Sequence, residues 1–225
     1  MAAQRGPKLD RRQVAEAALG LLNEVGLEGL TLRAIAKQLN VQAPALYWHF
    51  KNKQALLDEM ATEMLRRMSD GFAAQPAAPD PAWRDVFFQR MSALREHLLR
   101  YRDGAKVYAG TRFTDTSYAE PMEANLRLLT AAGFTPGAAA RAWFTAYSYT
   151  IGYVIEEQAM GPDPASGAAG YDLDARAERL AAYPLAAQAG REMFQEHGRG
   201  FEAGLRAVIE GIGLTLRGDA DGAGR

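Results

Sequence analysis

Polar and aromatic side chains are concentrated in one short stretch near the N-terminus. Tyr47, Trp48 and His49 are consecutive, and Lys51 and Lys53 follow them closely. Aromatic and imidazole groups can contact base edges in a nucleic-acid groove, and ammonium groups can neutralise the phosphates beside it. The same residues could also belong to a helical hairpin packed inside an ordinary bundle, but such a hairpin would bury an apolar stripe. This stretch offers few apolar residues, so we predict that it contacts duplex DNA.

The elements that position this stretch follow from capping residues and apolar spacing. Thr31 can cap a short helix, and residues 40–42 form a polar turn after it. Pro44 suits the first turn of a third helix, where its missing N–H would be unpaired in any case. That helix is expected to be short and to bury only Leu46 and Phe50. Asn52 can cap a fourth helix after it. Two short helices joined by a tight turn are typical of the helix-turn-helix, whose second helix enters the major groove.

The charge distribution separates the N-terminal segment from the rest of the chain. The sequence has 26 Lys and Arg against 27 Asp and Glu, so its net charge is -1. Residues 1–53 hold eight of these basic residues but only four of the acidic ones, which makes the segment cationic. A cationic head on an acidic body would orient the head toward a polyanion.

Helical periodicity continues along the remainder of the chain, without an alternating strand pattern of useful length. The fold class is therefore expected to be all-α. An N-terminal three-helix helix-turn-helix DNA-binding domain would cover residues 1–53. A larger C-terminal helical ligand-binding and dimerisation domain would cover residues 54–217, and residues 218–225 would form a disordered tail. Further helices are predicted over 83–101, 121–132, 136–160, 183–196 and 201–216, with a loop over 73–82 and a flexible segment over 161–170.

The last predicted helix is expected to form a dimer by packing with the helix over 136–160. The apolar residues proposed for this four-helix seam are Phe201, Leu205, Val208, Ile209 and Ile212.

Several classes of function are disfavoured by what the sequence lacks. Without cysteine there can be no disulfide and no thiolate metal site, which fits a reducing cytoplasm. The N-terminus has no apolar signal region, and no apolar run is long enough to cross a bilayer. Of the histidines His49, His97 and His197, the second is expected at the surface or at an interface. Because the sequence shows no phosphate loop, metal-ligand cluster or serine elbow, we expect no enzyme activity, no cofactor and no metal site.

Four runs of sequence resemble the tetracycline-repressor (TetR) family of transcriptional regulators. Two of them cover residues 21–31 and 46–58 in the N-terminal segment, and the other two, residues 101–112 and 152–158, match the tetracycline-repressor subclass of C-terminal domain. The resemblance thus extends over most of the chain. It implies a homodimer whose two heads enter successive major grooves of a palindromic operator. By position, the predicted DNA-binding residues are Arg33, Gln42, Ala43, Pro44, Ala45, Tyr47, Trp48, His49 and Lys53.

Within that set, the chemistry of the side chains fits the positions. Arg33 can pair with guanine or reach a phosphate, and Pro44 can press on a thymine methyl. Tyr47 and Lys53 can hold phosphates. Ala43 and Ala45 stand where the tetracycline repressor carries polar residues, and they cannot hydrogen bond to base edges. The operator sequence is therefore expected to differ, with the same mode of docking.

The resemblance also implies an inducer site inside the C-terminal domain. Tyr108, Thr111 and Arg112 match its lining and the short segment that moves on induction, while Tyr108 replaces the histidine that binds magnesium in a magnesium–tetracycline complex. Because a neutral tyrosine is a poor magnesium ligand, we expect a different ligand. The aromatic residues suit a flat, partly polar molecule that is antibiotic- or polyketide-like. The predicted ligand-binding residues are Ser69, Arg90, Leu94, Tyr108, Thr111, Arg112, Phe113, Asn125, Trp143, Tyr147 and Ser148.

The sequence therefore predicts a cytoplasmic, ligand-responsive repressor that is released from its operator by a small hydrophobic or aromatic inducer. In the family the regulated gene is often one for export or antibiotic resistance. An activator and a ligand-independent DNA-binding protein remain as alternatives, because neither can be distinguished from a repressor by residue pattern.

Overall fold

The computed structural model describes residues 9–73, 82–162, 167 and 169–217. Within these residues all regular structure is helical, which confirms the all-α class. The helices are α1 (Arg11–Gly29), α2 (Leu32–Gln38), α3 (Ala43–Tyr47), α4 (Lys53–Ala73), α5 (Trp83–Leu99), α6 (Gly104–Tyr108), α7 (Ala119–Ala131), α8 (Pro136–Met160), α9 (Leu173–Arg179), α10 (Pro184–Phe194) and α11 (His197–Thr215). None of the helices in this described part of the chain is long and apolar enough to span a membrane.

Most helices lie where the sequence predicts them, and α8 has the predicted bounds. The short helices α6 and α9 were not predicted. No residue of α9 is buried, so it has no apolar stripe by which its sequence could be recognised. Most of the predicted loop over 73–82, part of the flexible segment over 161–170 and the predicted tail over 218–225 lie outside the described residues.

The chain folds into two compact units. The N-terminal unit comprises Met1–Ala74 and Arg100–Tyr118, and the C-terminal unit comprises Gln75–Leu99 and Ala119–Arg225. The N-terminal unit therefore contains α4 and α6 as well as α1, α2 and α3. The division predicted at residue 53 is one of function, and it stays a prediction.

In the N-terminal unit, α1 packs against α4, and α2 packs against α3. The helical conformation of α1 is interrupted at Gly26, whose φ of 69° lies in the left-handed region that favours glycine. Thr31 caps α2 by accepting a hydrogen bond from the backbone N–H of Ala34 at 3.1 Å. The Asn52 side chain accepts from the N–H of Ala55 at 2.8 Å, as predicted for the cap of α4.

In the C-terminal unit, α5, α8 and α11 pack against one another. The predicted dimer seam on α11 is wrong, because its apolar stripe faces this core within a single chain. Four of its five residues are buried there, namely Phe201, Leu205, Ile209 and Ile212. Residues that α11 and α8 leave exposed include Ala203, Ala207, Leu214 and Phe144. A second copy would therefore meet a different face of these helices.

The same three-helix packing bears on His97. Of the two places expected for His97, the surface and an interface, the surface is wrong, because this residue is buried on α5. Because α8 and α11 both pack against α5, that helix has more than one buried face. A prediction that assumes one apolar stripe per helix therefore misses part of the buried surface of α5.

Two tyrosines bring α8 and α11 into close contact. The Tyr149 hydroxyl donates to the carbonyl of Phe201 at 3.0 Å, and the Tyr153 hydroxyl donates to the carbonyl of His197 at 2.9 Å. Each hydroxyl sits against a glycine of α11, Gly204 and Gly200 respectively, where a Cβ atom would collide with it. Glycine is required at these positions because the helix backbone itself forms the packing surface.

Candidate functional site

The short helix α3 presents its polar and aromatic side chains outward. Leu46 and Phe50 are completely buried and hold the helix against the N-terminal unit. Tyr47 is 54% exposed and Trp48 is 90% exposed. Burial of two large apolar side chains contributes about 1.5–3 kcal/mol each, which can fix a short helix that would not be stable alone. The hairpin-in-a-bundle alternative is thereby contradicted, because a core helix would have buried Trp48.

Arg11 of α1 fixes the C-terminal end of this recognition helix. Its guanidinium donates to the carbonyl of His49 at 2.6 Å and lies 4.6 Å from the centroid of the Phe50 ring. The same group forms an ion pair of 2.9 Å with Glu59 of α4. One side chain therefore ties the end of α3 to the first and fourth helices, so the orientation of Trp48 depends on both.

The other predicted DNA-binding residues lie on or beside the same surface. Lys53 donates from Nζ to the carbonyl of Leu27 at 2.6 Å, so its ammonium helps to join α4 to α1 and keeps further donors for a phosphate. The contacts of the whole set with DNA stay predictions. Exposed members are Arg33, Gln42, Pro44, Tyr47, Trp48 and Lys53, and the partly exposed members are Ala43, Ala45 and His49.

A network of buried charge lies on α4 behind this surface. Glu59 and Glu63 are only 4% and 1% exposed. Each is paired with arginines, and the partners are Arg11, Arg12, Arg66 and Arg67. This ion-pair network was not predicted from the sequence. The signal was two acids four residues apart inside an apolar stripe, followed by arginines at i+3 and i+4, a spacing that brings them into contact on a helix.

The start of α6 is joined to the end of α1. Interruption of α1 at Gly26 leaves the N–H of Leu27 without a helical acceptor, and the Asp103 carboxylate accepts it at 3.0 Å. Asn23 accepts from the backbone N–H of Arg102 at 2.7 Å. Although burial opposes ionisation of Asp103, the hydrogen bond from Leu27 and the ammonium of Lys106 together lower its pKa.

The segment after α6 is joined to α4. The N–H of Arg112 donates to the Asp58 carboxylate at 3.3 Å. The N–H of Thr114 donates to the Thr62 hydroxyl at 2.9 Å, and that hydroxyl donates to the carbonyl of Asp58 at 2.7 Å. Further along, Asp115 pairs with Arg66 of the buried network. The short helix α6 is thus bonded at one end to α1 and at the other to α4.

Five predicted ligand-binding residues belong to the N-terminal unit. Tyr108 is buried and meets the ring of Phe113 edge-on, with the ring centroids 5.7 Å apart. The Thr111 hydroxyl donates to the carbonyl of Val107 at 2.7 Å, while Arg112 is exposed and Ser69 is partly exposed. Tyr108, Thr111 and Phe113 therefore lie together at the C-terminal end of α6.

The other six belong to the C-terminal unit. Arg90 of α5 donates to the side-chain oxygen of Asn125, which is buried on α7. Trp143 of α8 packs edge-on against Phe87 of α5 at 5.9 Å between centroids. Burial raises the pKa of Tyr147, so its phenol is neutral at physiological pH. The two remaining members are Leu94, which is buried, and Ser148, which is exposed.

The residues present do not fit a magnesium-bearing ligand held by the protein. In the described part of the chain no three His, Cys, Asp or Glu side chains are grouped so that they could hold a metal ion. Tyr108, at the position that the resemblance gives to a metal-binding histidine, is a buried phenol beside an aromatic ring. A neutral phenol is a poor partner for a hard dication.

Both parts of the chain match known protein families. Residues 14–60 match the family described as "Bacterial regulatory proteins, tetR family", and residues 75–216 match the "Tetracyclin repressor-like, C-terminal domain" family. The chain is 41% identical over 207 residues to the tetracycline repressor protein class A from transposon 1721 of Escherichia coli, covering 91% of each protein.

Two solved structures extend this similarity to the fold. One is a point variant of TetR from Acinetobacter baumannii AYE in complex with minocycline, with a TM-score of 0.71, 35% identity, and coverage of 93% of this chain and 99% of that one. The other is the regulator BioQ with its double-stranded DNA operator, with a TM-score of 0.63, 26% identity, and coverage of 92% and 99%. These relatives are regulators rather than enzymes. The chain belongs to the TetR family of bacterial transcriptional regulators and has a tetracycline-repressor-like C-terminal domain.

Proposed function

We propose that this protein is a cytoplasmic, homodimeric transcriptional repressor that is released from a palindromic operator by a small aromatic ligand. The observation that carries the DNA-binding part is the outward presentation of Tyr47 and Trp48 above the buried pair Leu46 and Phe50. A tryptophan that is 90% exposed costs solvation free energy unless a partner covers it. A nucleic-acid groove flanked by phosphates would cover the aromatic surface and would also use the neighbouring lysines.

The dimer would place two copies of α3 in successive major grooves. Their centres would then lie roughly 34–36 Å apart, one turn of B-DNA. Arg33 and Gln42 provide hydrogen-bonding groups for base edges or phosphates, whereas Ala43 and Ala45 provide only apolar contacts such as those with thymine methyl groups. The operator read by this chain would accordingly differ from one that is read by polar residues at those two positions.

Release would act through the short helix α6. Its start is bonded to α1 through Asp103 and Leu27, and the segment after it is bonded to α4 through Thr114 and Thr62. Since α1 and α4 both hold the recognition helix through Arg11, a displacement of α6 would change the orientation of α3. The ligand needs only to bind the released form more tightly than the DNA-bound form.

The ligand is proposed to be a flat, partly polar aromatic molecule of antibiotic or polyketide type. The support is the aromatic pair Phe87 and Trp143 of the C-terminal unit, together with the polar groups of Arg90 and Asn125 in the same unit. Magnesium is given no role in this proposal, because Tyr108 is unsuited to bind it. A gene for resistance to such a compound, or for its export, would be the expected target.

A titration of DNA from the adjacent intergenic region tests the first part. Fluorescence anisotropy should detect binding by the wild type. Replacement of Tyr47 or Trp48 by alanine should weaken binding by about fivefold or more, which corresponds to the loss of a contact worth about 1 kcal/mol or more. Tyr183→Ala is the matched control, because Tyr183 is 64% exposed but lies just before α10 in the C-terminal unit. Sedimentation should show a dimer for all four proteins. Equal loss of affinity in the control would contradict the assignment of α3.

A second titration tests release. Aromatic compounds added to the protein–DNA complex should lower the anisotropy at concentrations that also raise the melting temperature of the free protein. Replacement of Arg112 by alanine should leave DNA affinity unchanged and blunt the release, since it removes a side chain that we expect to contact the ligand. The backbone N–H of residue 112, which donates to Asp58, is kept in this variant. A protein that binds DNA but responds to no aromatic compound would be a ligand-independent regulator.

A further inference from the structure

The side chain of Arg90 is partly buried, and no carboxylate in the described part of the chain balances its charge. Arg90 lies on α5, and its described hydrogen bond is to the neutral amide oxygen of Asn125 on α7. Asn125 itself is buried. Among the residues that the structure describes, no acidic side chain forms an ion pair with Arg90.

A second arginine of the same helix shows how this fold neutralises a buried guanidinium. Arg95 is largely buried, and it forms a two-point ion pair with Glu157 of α8, with 2.8 Å between Nε and one carboxylate oxygen. It also lies 5.2 Å from the centroid of the Phe201 ring. Two arginines five residues apart thus have opposite surroundings, and only Arg95 has an internal counter-ion.

The unbalanced charge at Arg90 has an energetic cost. Burial lowers the pKa of Arg90, which means that the charged form is destabilised. Arginine nonetheless stays protonated in proteins, so the cation cannot escape this cost by losing its proton. Its planar group offers five N–H donors, and the side-chain oxygen of Asn125 accepts from only one of its nitrogen atoms. The remaining donors are arranged to hold a carboxylate through two parallel hydrogen bonds.

The residues around Arg90 are apolar and aromatic. Phe87 lies one turn before it and Leu94 one turn after it on α5, and both are buried. Trp143 of α8 contacts the Phe87 ring. Of these aromatic side chains Phe87 is fully buried and Trp143 is partly exposed, so Trp143 is the ring that a molecule reaching Arg90 could contact.

We propose that the ligand of this protein is an aromatic carboxylate whose anionic group pairs with Arg90, with Asn125 holding the guanidinium in position. This inference rests on the proposed function, because it uses the same ligand site. It goes further by specifying that the ligand is an anion. A bound anion would supply the negative charge that no described side chain supplies to Arg90. Asn125 acts as a positioning residue, because its amide fixes the orientation of the guanidinium.

The test compares acids with their neutral amides on the full-length dimer. The probes are naphthalene-2-carboxylate, anthracene-2-carboxylate and anthraquinone-2-carboxylate, each paired with its carboxamide, and binding is followed by tryptophan fluorescence and melting temperature. At least one acid should bind ten times more tightly than its amide. Arg90→Gln should abolish that preference, and Arg90→Lys, which retains the charge without the planar fork, should retain part of it. Arg127→Gln, at an exposed arginine of α7, should change nothing.

A second variant guards against an effect of Arg90 replacement on folding. Asn125→Asp places a carboxylate beside the guanidinium, so it should raise the melting temperature of the ligand-free protein and weaken acid binding at least tenfold. Equal binding of acids and amides, an acid preference that survives Arg90→Gln, or the failure of every acid to bind would overturn the proposal. If neutral amides release operator DNA as well as the acids do, the inference about charge fails while the proposed repressor function stands.

Discussion

Glu63 in the N-terminal unit is a buried charged group and Arg90 in the C-terminal unit is a partly buried one, and the partners of the two charges differ. Glu63 is 1% exposed and is paired with Arg12, Arg66 and Arg67. Arg90 has only the amide oxygen of Asn125. A buried charge with internal partners holds helices together, whereas one without them is balanced only when something from outside supplies the opposite charge. Charge balance therefore separates a structural network from a binding site, even where both contain arginine.

The largest effect is expected from breaking the balanced network. Glu63→Gln keeps the shape of the side chain and removes its charge, leaving three arginines short of a partner. These arginines are partly exposed and can regain water, so we expect a loss of about 2–3 kcal/mol in the free energy of unfolding, below the 3–5 kcal/mol typical when the remaining charge is fully buried. Urea unfolding at fixed protein concentration measures the change.

The control for this variant is an exposed ion pair. Glu123 pairs with Arg127 at 2.8 Å on the surface of α7. Glu123→Gln should cost less than about 0.5 kcal/mol, as exposed pairs do. A loss at Glu63 no larger than that at Glu123 would show that the network does not hold α4 to α1.

A smaller loss in the free energy of unfolding is expected from replacement of Thr62, an uncharged residue of α4 near Glu63. The Thr62 hydroxyl is buried and accepts the N–H of Thr114, which joins the segment after α6 to α4. Thr62→Val keeps the volume but removes the acceptor, and water can replace it at the exposed Thr114, so we expect a loss of about 0.5–1.5 kcal/mol. Operator binding should persist, and the ligand concentration needed for release should rise. Unchanged release, measured by anisotropy, would mean that coupling does not pass through this bond.

The ion pair between Asp115 and Arg66 should make the stability of the protein depend on pH. Hydrogen bonds from Ser117, followed by that from Arg66, lower the pKa of Asp115 to about 2. Because this pKa lies below the unfolded value near 4, the stabilisation is complete above that value and is lost as the pH falls through it toward 2. Asp115 is 40% exposed, so solvent screening limits its contribution to below about 1 kcal/mol.

The corresponding variant is Asp115→Asn. Its melting temperature should be lower than that of the wild type at pH 6. The difference should narrow as the pH falls to 3, since the carboxylate of the unfolded wild-type chain takes up a proton in this range while that of the folded protein stays largely ionised. A difference that stays constant between pH 6 and pH 3 would show that Asp115 stabilises the protein by its shape or its hydrogen bonds with Ser117, and not by its charge.

The sequence predicts local features of this molecule well because their causes are local. Thr31 and Asn52 cap α2 and α4 as expected, and Pro136 begins α8 where the sequence places it. Periodicity along α11 correctly identifies an apolar stripe, but a stripe does not say which surface covers it. The residues Phe201, Leu205, Ile209 and Ile212 were assigned to a second copy, whereas the chain's own α5 and α8 cover them.

The same limit applies to the candidate site. The outward face of α3 is predictable, because a helix with only two apolar anchors cannot be buried. The resemblance assigns Arg90 and Asn125 to one ligand site, but the residue pattern does not predict their pairing, because the two lie 35 positions apart and no local signal indicates that α5 and α7 meet there. Charge balance is a property of the packed structure, and counting acids and bases along the sequence cannot reveal which arginine lacks an acid.

The smallest effect on stability is expected at Arg90, which has no acidic partner among the described residues. Replacement of Arg90 should leave the free energy of unfolding unchanged or raise it, whereas replacement of Glu63 should lower it. Arg90→Met replaces a desolvated cation by an apolar side chain of similar length among Phe87 and Leu94. The variant loses one hydrogen bond to a neutral amide, worth about 0.5–1.5 kcal/mol, and it is relieved of a desolvation cost of similar size. The free energy of unfolding in urea should therefore stay within about 0.5 kcal/mol of the wild type or increase. A loss as large as that at Glu63 would mean that Arg90 is a structural residue whose contacts hold α5 to α7, and would contradict its assignment to a ligand.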